Sequence, residues 1–276
     1  MKIKFWGVRG SIPTPGYSTL KIGGNTSCVE IRAGGELIII DGGSGLRLLG
    51  ESLLKETPIK GMFLFSHFHW DHIQGFPFFS PAYMKENEFQ IFGGNGLSYS
   101  LQKSLFGQMD HPNFPIELKN MGSIMVFHEL LEGEEIIKGG VKISNTFVNH
   151  PSSSLAYRID HENKSFVYSS DTEHLPDGVD QKLLKFAKGA DVIVYDAQYT
   201  PEEYEGTHKW WGSRKGWGHS TMIEGVKLAK AAGVKKLVLS HHDPSRDDDA
   251  IARIEKEAQR LFPNSIAAYE GLEIDI

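Results

Sequence analysis

The run IKGMFLFSHFHWDH, Ile59 to His72, places a cluster of metal-binding side chains directly after an apolar segment. Ile59–Phe65 reads as a buried strand, so Ser66-His67-Phe68-His69-Trp70-Asp71-His72 sits on the loop at its end. In extended backbone, alternate side chains point the same way, so His67 and His69 reach one metal together. Asp71 and His72 are adjacent and point differently, which lets them serve a second metal. Imidazole with carboxylate suits zinc and would accept iron, manganese or cobalt. The bland alternative is a chance histidine-rich surface loop. Four potential ligands in six residues after a buried strand weigh against it.

Further ligands lie at other expected strand ends. His150 follows Val141–Val148, Asp171 follows Ser165–Ser170, and His241 follows Lys236–Ser240. An aspartate such as Asp171 has two oxygens and can bridge two cations. A metal pair about 3.5–4 Å apart can stabilise an in-line displacement.

Around these points the chain alternates short strands and helices. Strands are expected at Ile3–Trp6, Cys28–Arg32, Glu36–Ile40, Ser154–Ile159, Asp191–Tyr195 and Ile266–Tyr269. Helices are expected over Ser44–Lys55, near Leu97–Phe106, from Ser220 or Thr221 through Ala232, and over Asp247–Phe262. The pattern implies an α/β architecture with two sheets inside and helices outside. Residues 1–276 read as one domain. Residues 76–125, with Pro77, Pro81, Pro112 and Pro115, read as an irregular insertion or lid over the site.

Composition bounds the partners. The 276 residues carry a net charge of −6, so no strongly basic footprint for nucleic acid is present overall. One cysteine, Cys28, excludes an internal disulfide framework and reads as a small buried hydrophobe. No apolar run is long enough to span a membrane, and the opening MKIKFWGVRG has no apolar secretion signal. A cytoplasmic location is therefore expected.

The HxHxDH run, followed in order by His150, Asp171 and His241, resembles the metallo-β-lactamase superfamily of hydrolases, over Asp41 to at least Pro244. The resemblance implies an αββα sandwich, two mixed sheets flanked by helices, with a dinuclear site on one edge. By position, His67, His69 and His150 resemble the ligands of the first metal. Asp71, His72 and His241 resemble those of the second, and Asp171 the bridge. Asp41 resembles the family's aspartate that hydrogen-bonds a ligand from behind. The implied cofactor is two divalent ions, zinc foremost, with manganese or iron as alternatives.

Gly218-His219-Ser220-Thr221 resembles the His-Ser-Thr loop of RNase Z and related phosphodiesterases, and Asp196-Ala197 resembles that branch's Glu-Ala segment. Asp71, Asp196 and His219 are thereby the catalytic candidates. An imidazole at His219 can protonate a leaving oxygen; otherwise it is a loop residue beside a helix cap. Here Asp stands for Glu, and Tyr195 replaces a histidine of the family pattern. Phe5–Pro13, Gly23–Ser27 and Tyr195–Thr200 resemble bacterial relatives of RNase Z, of cyclic-nucleotide phosphodiesterases and of a cyclic-phosphate phosphodiesterase of phosphonate breakdown. Ser152, Asn25 and Arg246 are substrate candidates, with Arg9 and Thr26 beside them; polar turns and a surface ion pair are the alternatives. His242 reads as a packing or supporting residue. His128, His161, His174 and His208 show no partner pattern and read as surface residues. Trp210, Trp211 and Trp217 crowd one loop, for base stacking or a subunit contact.

The expected function is a dinuclear phosphodiesterase acting on a small phosphodiester, a cyclic nucleotide or cyclic phosphate. Metal-bound hydroxide would attack phosphorus, with His219 as proton donor. The alternatives are a tRNA 3′-processing endonuclease and a metal-dependent hydrolase of a lactam or thioester. Against tRNA stand the net charge and the 21 positions from His150 to Asp171, which two strands fill instead of a basic arm. A non-catalytic flavin-linked diiron protein is disfavoured by His69, where such relatives carry Glu. Nucleic acid is not the favoured partner, and a homodimer is expected by analogy.

Overall fold

The computed structural model describes residues 1–94, 100–207 and 212–276. The first part of the chain supplies β1 (Lys2–Gly7), β2 (Cys28–Ala33), β3 (Glu36–Ile40), β4 (Lys60–Phe65), β5 (Glu88–Gly94) and β6 (Ile124–Leu130). The second supplies β7 (Glu135–Lys138), β8 (Val141–Phe147), β9 (Leu155–His161), β10 (Lys164–Ser169), β11 (Val192–Asp196), β12 (Lys236–Ser240), β13 (Ser265–Ala267) and β14 (Glu273–Asp275). They form two seven-stranded sheets, in the orders β14-β1-β2-β3-β4-β5-β6 and β7-β8-β9-β10-β11-β12-β13. Each sheet runs through three antiparallel pairings and then three parallel ones. Both sheets are mixed, and β3 corresponds in this pattern to β10, β4 to β11 and β5 to β12.

Side-chain alternation sorts the core into layers. On β3, Ile38 and Ile40 join Met62, Leu64, Tyr157, Phe166 and Val194 between the sheets. Leu37 and Ile39 face the other way, onto helices α1 (Leu46–Leu53), α2 (Trp70–Ile73) and α3 (Leu101–Gly107). The second sheet buries Ile193, Leu237 and Leu239 against α4 (Gln181–Ala187), α6 (Met222–Ala232) and α7 (Asp248–Leu261). The short α5 (Pro201–Glu205) opens with a Thr200–Glu203 capping box. Thr221 caps α6, which Gly233 ends in the left-handed conformation, and Asp247 caps α7. The αββα sandwich is thus as expected. Among the described residues, no helix is long and apolar enough to cross a membrane.

Residues 76–125 depart from the expectation of an irregular lid. They contribute β5, an interior strand of the first sheet, and the start of its edge strand β6. Phe76, Phe79 and Phe89 pack around the buried Phe63 with ring centroids 5.3–5.7 Å away. Leu101 and Leu105 of α3 join the same cluster. Pro77 and Pro81 lie in short 3₁₀ helices before β5, and Pro112 and Pro115 follow it, so punctuation on both sides obscures an element that burial against β4 stabilises. Replacing Phe63 by alanine is expected to cost about 3–5 kcal/mol, read as a fall in the midpoint of denaturant unfolding. An unchanged midpoint would contradict a structural role for this segment.

Candidate metal centre and catalytic site

The parallel halves of both sheets end at one edge of the sandwich, and the site is built on their C-terminal strand ends. Asp41 follows β3, His67 follows β4 after Ser66, Asp171 follows β10, Asp196 ends β11 and His241 follows β12. Asp41, Asp171 and His241 have φ of 59°, 53° and 60°. Such left-handed backbone is uncommon outside glycine and clusters at functional sites. Here it turns each side chain from the strand toward the shared edge. His69 is extended and precedes α2, which carries Asp71 and His72 in its single turn.

Three groups of ligand atoms result among the described residues. Those of His67, His69 and His150 lie within 4.8 Å of one another, as do those of Asp71, His72, Asp171 and His241. The third is Asp171, Asp196, His219 and His241, which shares two members with the second. In the second group His72 Nε2 is 3.3 Å from Asp71 Oδ2, 3.2 Å from Asp171 Oδ2 and 3.3 Å from His241 Nε2. His241 Nε2 is 3.1 Å from Asp71 Oδ2 and 3.2 Å from Asp171 Oδ1. Asp171 Oδ1 also lies 3.8 Å from His67 Nε2, which links the second group to the first.

The supports fix which ring nitrogen faces the cluster. Asp41 Oδ2 accepts from His72 Nδ1–H at 2.8 Å, and Asp41 is itself held by the Ser66 amide and hydroxyl and by the Tyr168 hydroxyl. Gln198 Oε1 accepts from His241 Nδ1–H at 2.8 Å. Both rings therefore turn Nε2 inward, as a metal ligand requires. The Ser11 amide donates to Asp71 Oδ2 at 2.7 Å. Gly10 must be glycine, because a Cβ there would stand 2.5 Å from the His241 ring.

These donors fit a divalent metal centre. His67 Nε2, both ring nitrogens of His150 and Asp171 Oδ1 are buried without a hydrogen-bond partner, and orphaned polar atoms are costly. Burial lowers His67 and His69 and brings His150 to about 4, which favours the neutral form that can ligate. In the second group burial works against charge, but ion pairing wins. Asp171 and Asp71 raise His72 well above its ordinary value, and with Asp196 they bring His241 to about 9. Burial would raise both aspartates, yet His72 and His241 hold them well below the carboxylate range. A cation entering there replaces imidazole protons as the charge partner of two carboxylates.

Beside the cluster stands a histidine–carboxylate pair. Asp196 Oδ2 accepts from His219 Nδ1–H at 2.8 Å, and Asp196 Oδ1 accepts from the amides of Gln198 and Ser220. The His219 ring stacks on His241 at 4.9 Å and 16°, and Nδ1 lies 3.8 Å from Asp171 Oδ1. Gly218 (φ +87°) admits no side chain, since a Cβ would meet the His150 ring at 2.7 Å.

The remaining candidates divide. Ser152 Oγ is 2.7 Å from His69 Nε2, at the cluster. Asn25 is turned away, bonded to Glu270 and Ser44. Arg246 is buried against Glu203 and the Gln198 carbonyl, and Arg9 against the carbonyls of Gly23 and Arg246. Thr26 accepts from the Ser44 amide. These four brace the loops rather than point to the ligand groups. His242 is buried and donates to the Ala268 carbonyl. Three histidines read as surface residues are half-buried: His128 stacks on Phe92, His161 lies 3.4 Å from the Gly140 carbonyl, and His174 contacts Ser220 and Tyr204. Trp217 is exposed beneath the Arg214 guanidinium, while His208, Trp210 and Trp211 lie outside the described residues. Tyr168 and Glu173 escaped the sequence reading, and Gln198 entered it only as part of the run Tyr195–Thr200, without a role. The one signal was their nearness to Asp196 and Asp171 in the chain.

A family model described as "Beta-lactamase superfamily domain" matches residues 38–242, and the chain belongs to that family. Family and ligand cluster together make it a metal-dependent hydrolase. The chain is 24% identical over 267 residues to Ribonuclease Z of Bacillus subtilis (strain 168), covering 81% of this chain and 83% of that one. Among solved structures it is similar to the metallo-beta-lactamase fold protein YhfI from Bacillus subtilis, with a TM-score of 0.73, 18% identity and coverage of 99% and 98%. It is also similar to a diphosphatase from the PhnP family, with a TM-score of 0.71, 18% identity and coverage of 100% and 97%.

Proposed function

We propose that this chain is a phosphodiesterase that hydrolyses a small phosphodiester, a cyclic nucleotide or related cyclic phosphate, with His219 as proton donor and two zinc ions in the His/Asp cluster. The observation that carries the reading is the buried Asp196–His219 pair, 2.8 Å long, set against the ligand groups. Cations in this cradle would neutralise phosphate charge and bring the pKa of a bound water to about 7. The chain's own residues do the rest. With Nδ1–H committed to Asp196, His219 presents Nε2–H to the leaving oxygen. As water adds to phosphorus and the P–O bond breaks, that proton leaves on the departing alcohol, and the proton lost by the attacking water restores the ring. Asp196 holds the ring by Nδ1–H and pairs with the charge of the imidazolium, the form that carries a proton on Nε2 as well. Ser152 is placed beside His69 to donate to a phosphate oxygen. A homodimer in the cytoplasm belongs to the same reading.

A small substrate is favoured over tRNA by the segment between His150 and Asp171. Antiparallel β9 and β10 occupy most of it, pairing His161 with Lys164 across a tight turn. The net charge of −6 gives little general attraction to a polyanion. The second reading, tRNA 3′-end processing, is favoured by the similarity to Ribonuclease Z.

Turnover of bis(p-nitrophenyl) phosphate is expected to vanish with a chelator and return with Zn²⁺ or Mn²⁺. Cyclic nucleotides, precursor tRNA and a chromogenic lactam, assayed together, then discriminate the readings. Cleavage of precursor tRNA with inert cyclic nucleotides overturns the small-substrate reading. Cleavage of the lactam alone overturns both.

A further inference from the structure

Glu173 lies two residues beyond Asp171 and is buried. Its Oε1 accepts from the Tyr204 hydroxyl and the Gly216 amide, and its Oε2 from the Gly218 amide, all at 2.8 Å. Its own amide donates to the Asn149 carbonyl at 2.7 Å, and its carbonyl accepts from the Asn149 side chain at 3.1 Å. One residue thus joins three loops: the one that leads into His150, the one that follows Asp171, and the one that delivers His219. The adjacent His174 extends the tie, with Nδ1 2.9 Å from Ser220 Oγ.

The loop needs such a tie. Gly216 and Gly218 both have positive φ, at 82° and 87°. Glycine backbone has the most freedom to lose, so left alone this loop would sample many conformations. Two amides converging on one carboxyl group remove that freedom immediately before His219. Misplacing a proton donor by about an ångström can cost 10²-fold in rate.

We propose that Glu173 is a positioning residue of the reaction, fixing the Gly216–Gly218 backbone so that His219 meets the leaving oxygen. The proposal rests on the phosphodiesterase reading above. Glu173→Gln keeps the size but puts an NH2 group against amide donors. Its kcat on an unactivated alkyl diester should fall about 10–100-fold, with KM and bound metal unchanged. On bis(p-nitrophenyl) phosphate, whose leaving group departs without a proton, the loss should stay within roughly threefold, because general-acid help is not needed there. Tyr204→Phe removes one of the three bonds and should show the same selective pattern, smaller in size. In NMR spectra, the Nδ1–H signal of His219, bonded to Asp196, should broaden in Glu173→Gln. Equal losses on both diesters, no loss on either, or an unaltered His219 signal overturns the proposal. If the wild-type protein cleaves neither diester, the phosphodiesterase reading fails instead, and the NMR signal still decides the role of Glu173.

Discussion

Asp171→Ala is expected to empty the metal centre and reduce turnover to background. Asp171 Oδ2 lies 3.2 Å from His72 Nε2, and its Oδ1 lies 3.2 Å from His241 Nε2 and 3.8 Å from His67 Nε2. It is the carboxylate that reaches both the first and the second group. Without it the first group keeps imidazoles alone, and the second keeps one carboxylate for two histidines. Metal-supplied charge stabilisation is worth several kcal/mol, so a fall of about a thousandfold or more follows. Metal content by elemental analysis and turnover of bis(p-nitrophenyl) phosphate give the two readings. A variant that holds its full metal complement and activity would remove Asp171 from the centre.

His219→Ala separates metal binding from chemistry. The imidazole stands against His241 and gathers with Asp171, Asp196 and His241, but its Nδ1 is committed to Asp196. Its loss should leave metal content intact. On an unactivated diester, the rate should drop by about 10²–10⁴-fold, the usual worth of a positioned acid. On a nitrophenyl ester the loss should be far smaller. Full activity of the variant on the alkyl diester would dismiss the proton-donor role. Loss of metal along with activity would place His219 among the ligands instead.

The two variants probe parts that differed in how openly the sequence showed them. The cluster from His67 to His72 was plain because its geometry is local: spacing along an extended segment and one helical turn places four side chains. Asp171, His150 and His241 were legible because each follows an apolar run. β5 was hidden by prolines upstream and two glycines at its end, and β14 by its three residues and its pairing to the distant β1. Neither carries enough pattern in itself, and each is stabilised by neighbours far along the chain.

From the amino acids alone came the αββα class, the ligand types and their order along the chain. Tertiary structure decided what the side chains do. Left-handed backbone at Asp41, Asp171 and His241 aims them at a common edge, and only the packed strand ends hold it there. Asp41 and Gln198 select the inward nitrogen of His72 and His241, while Asn25 and Arg246 are drawn into bracing contacts. Ring orientation and hydrogen-bond partner depend on groups far apart in the chain, 245 positions for Asn25 and Glu270, so no local pattern could encode them.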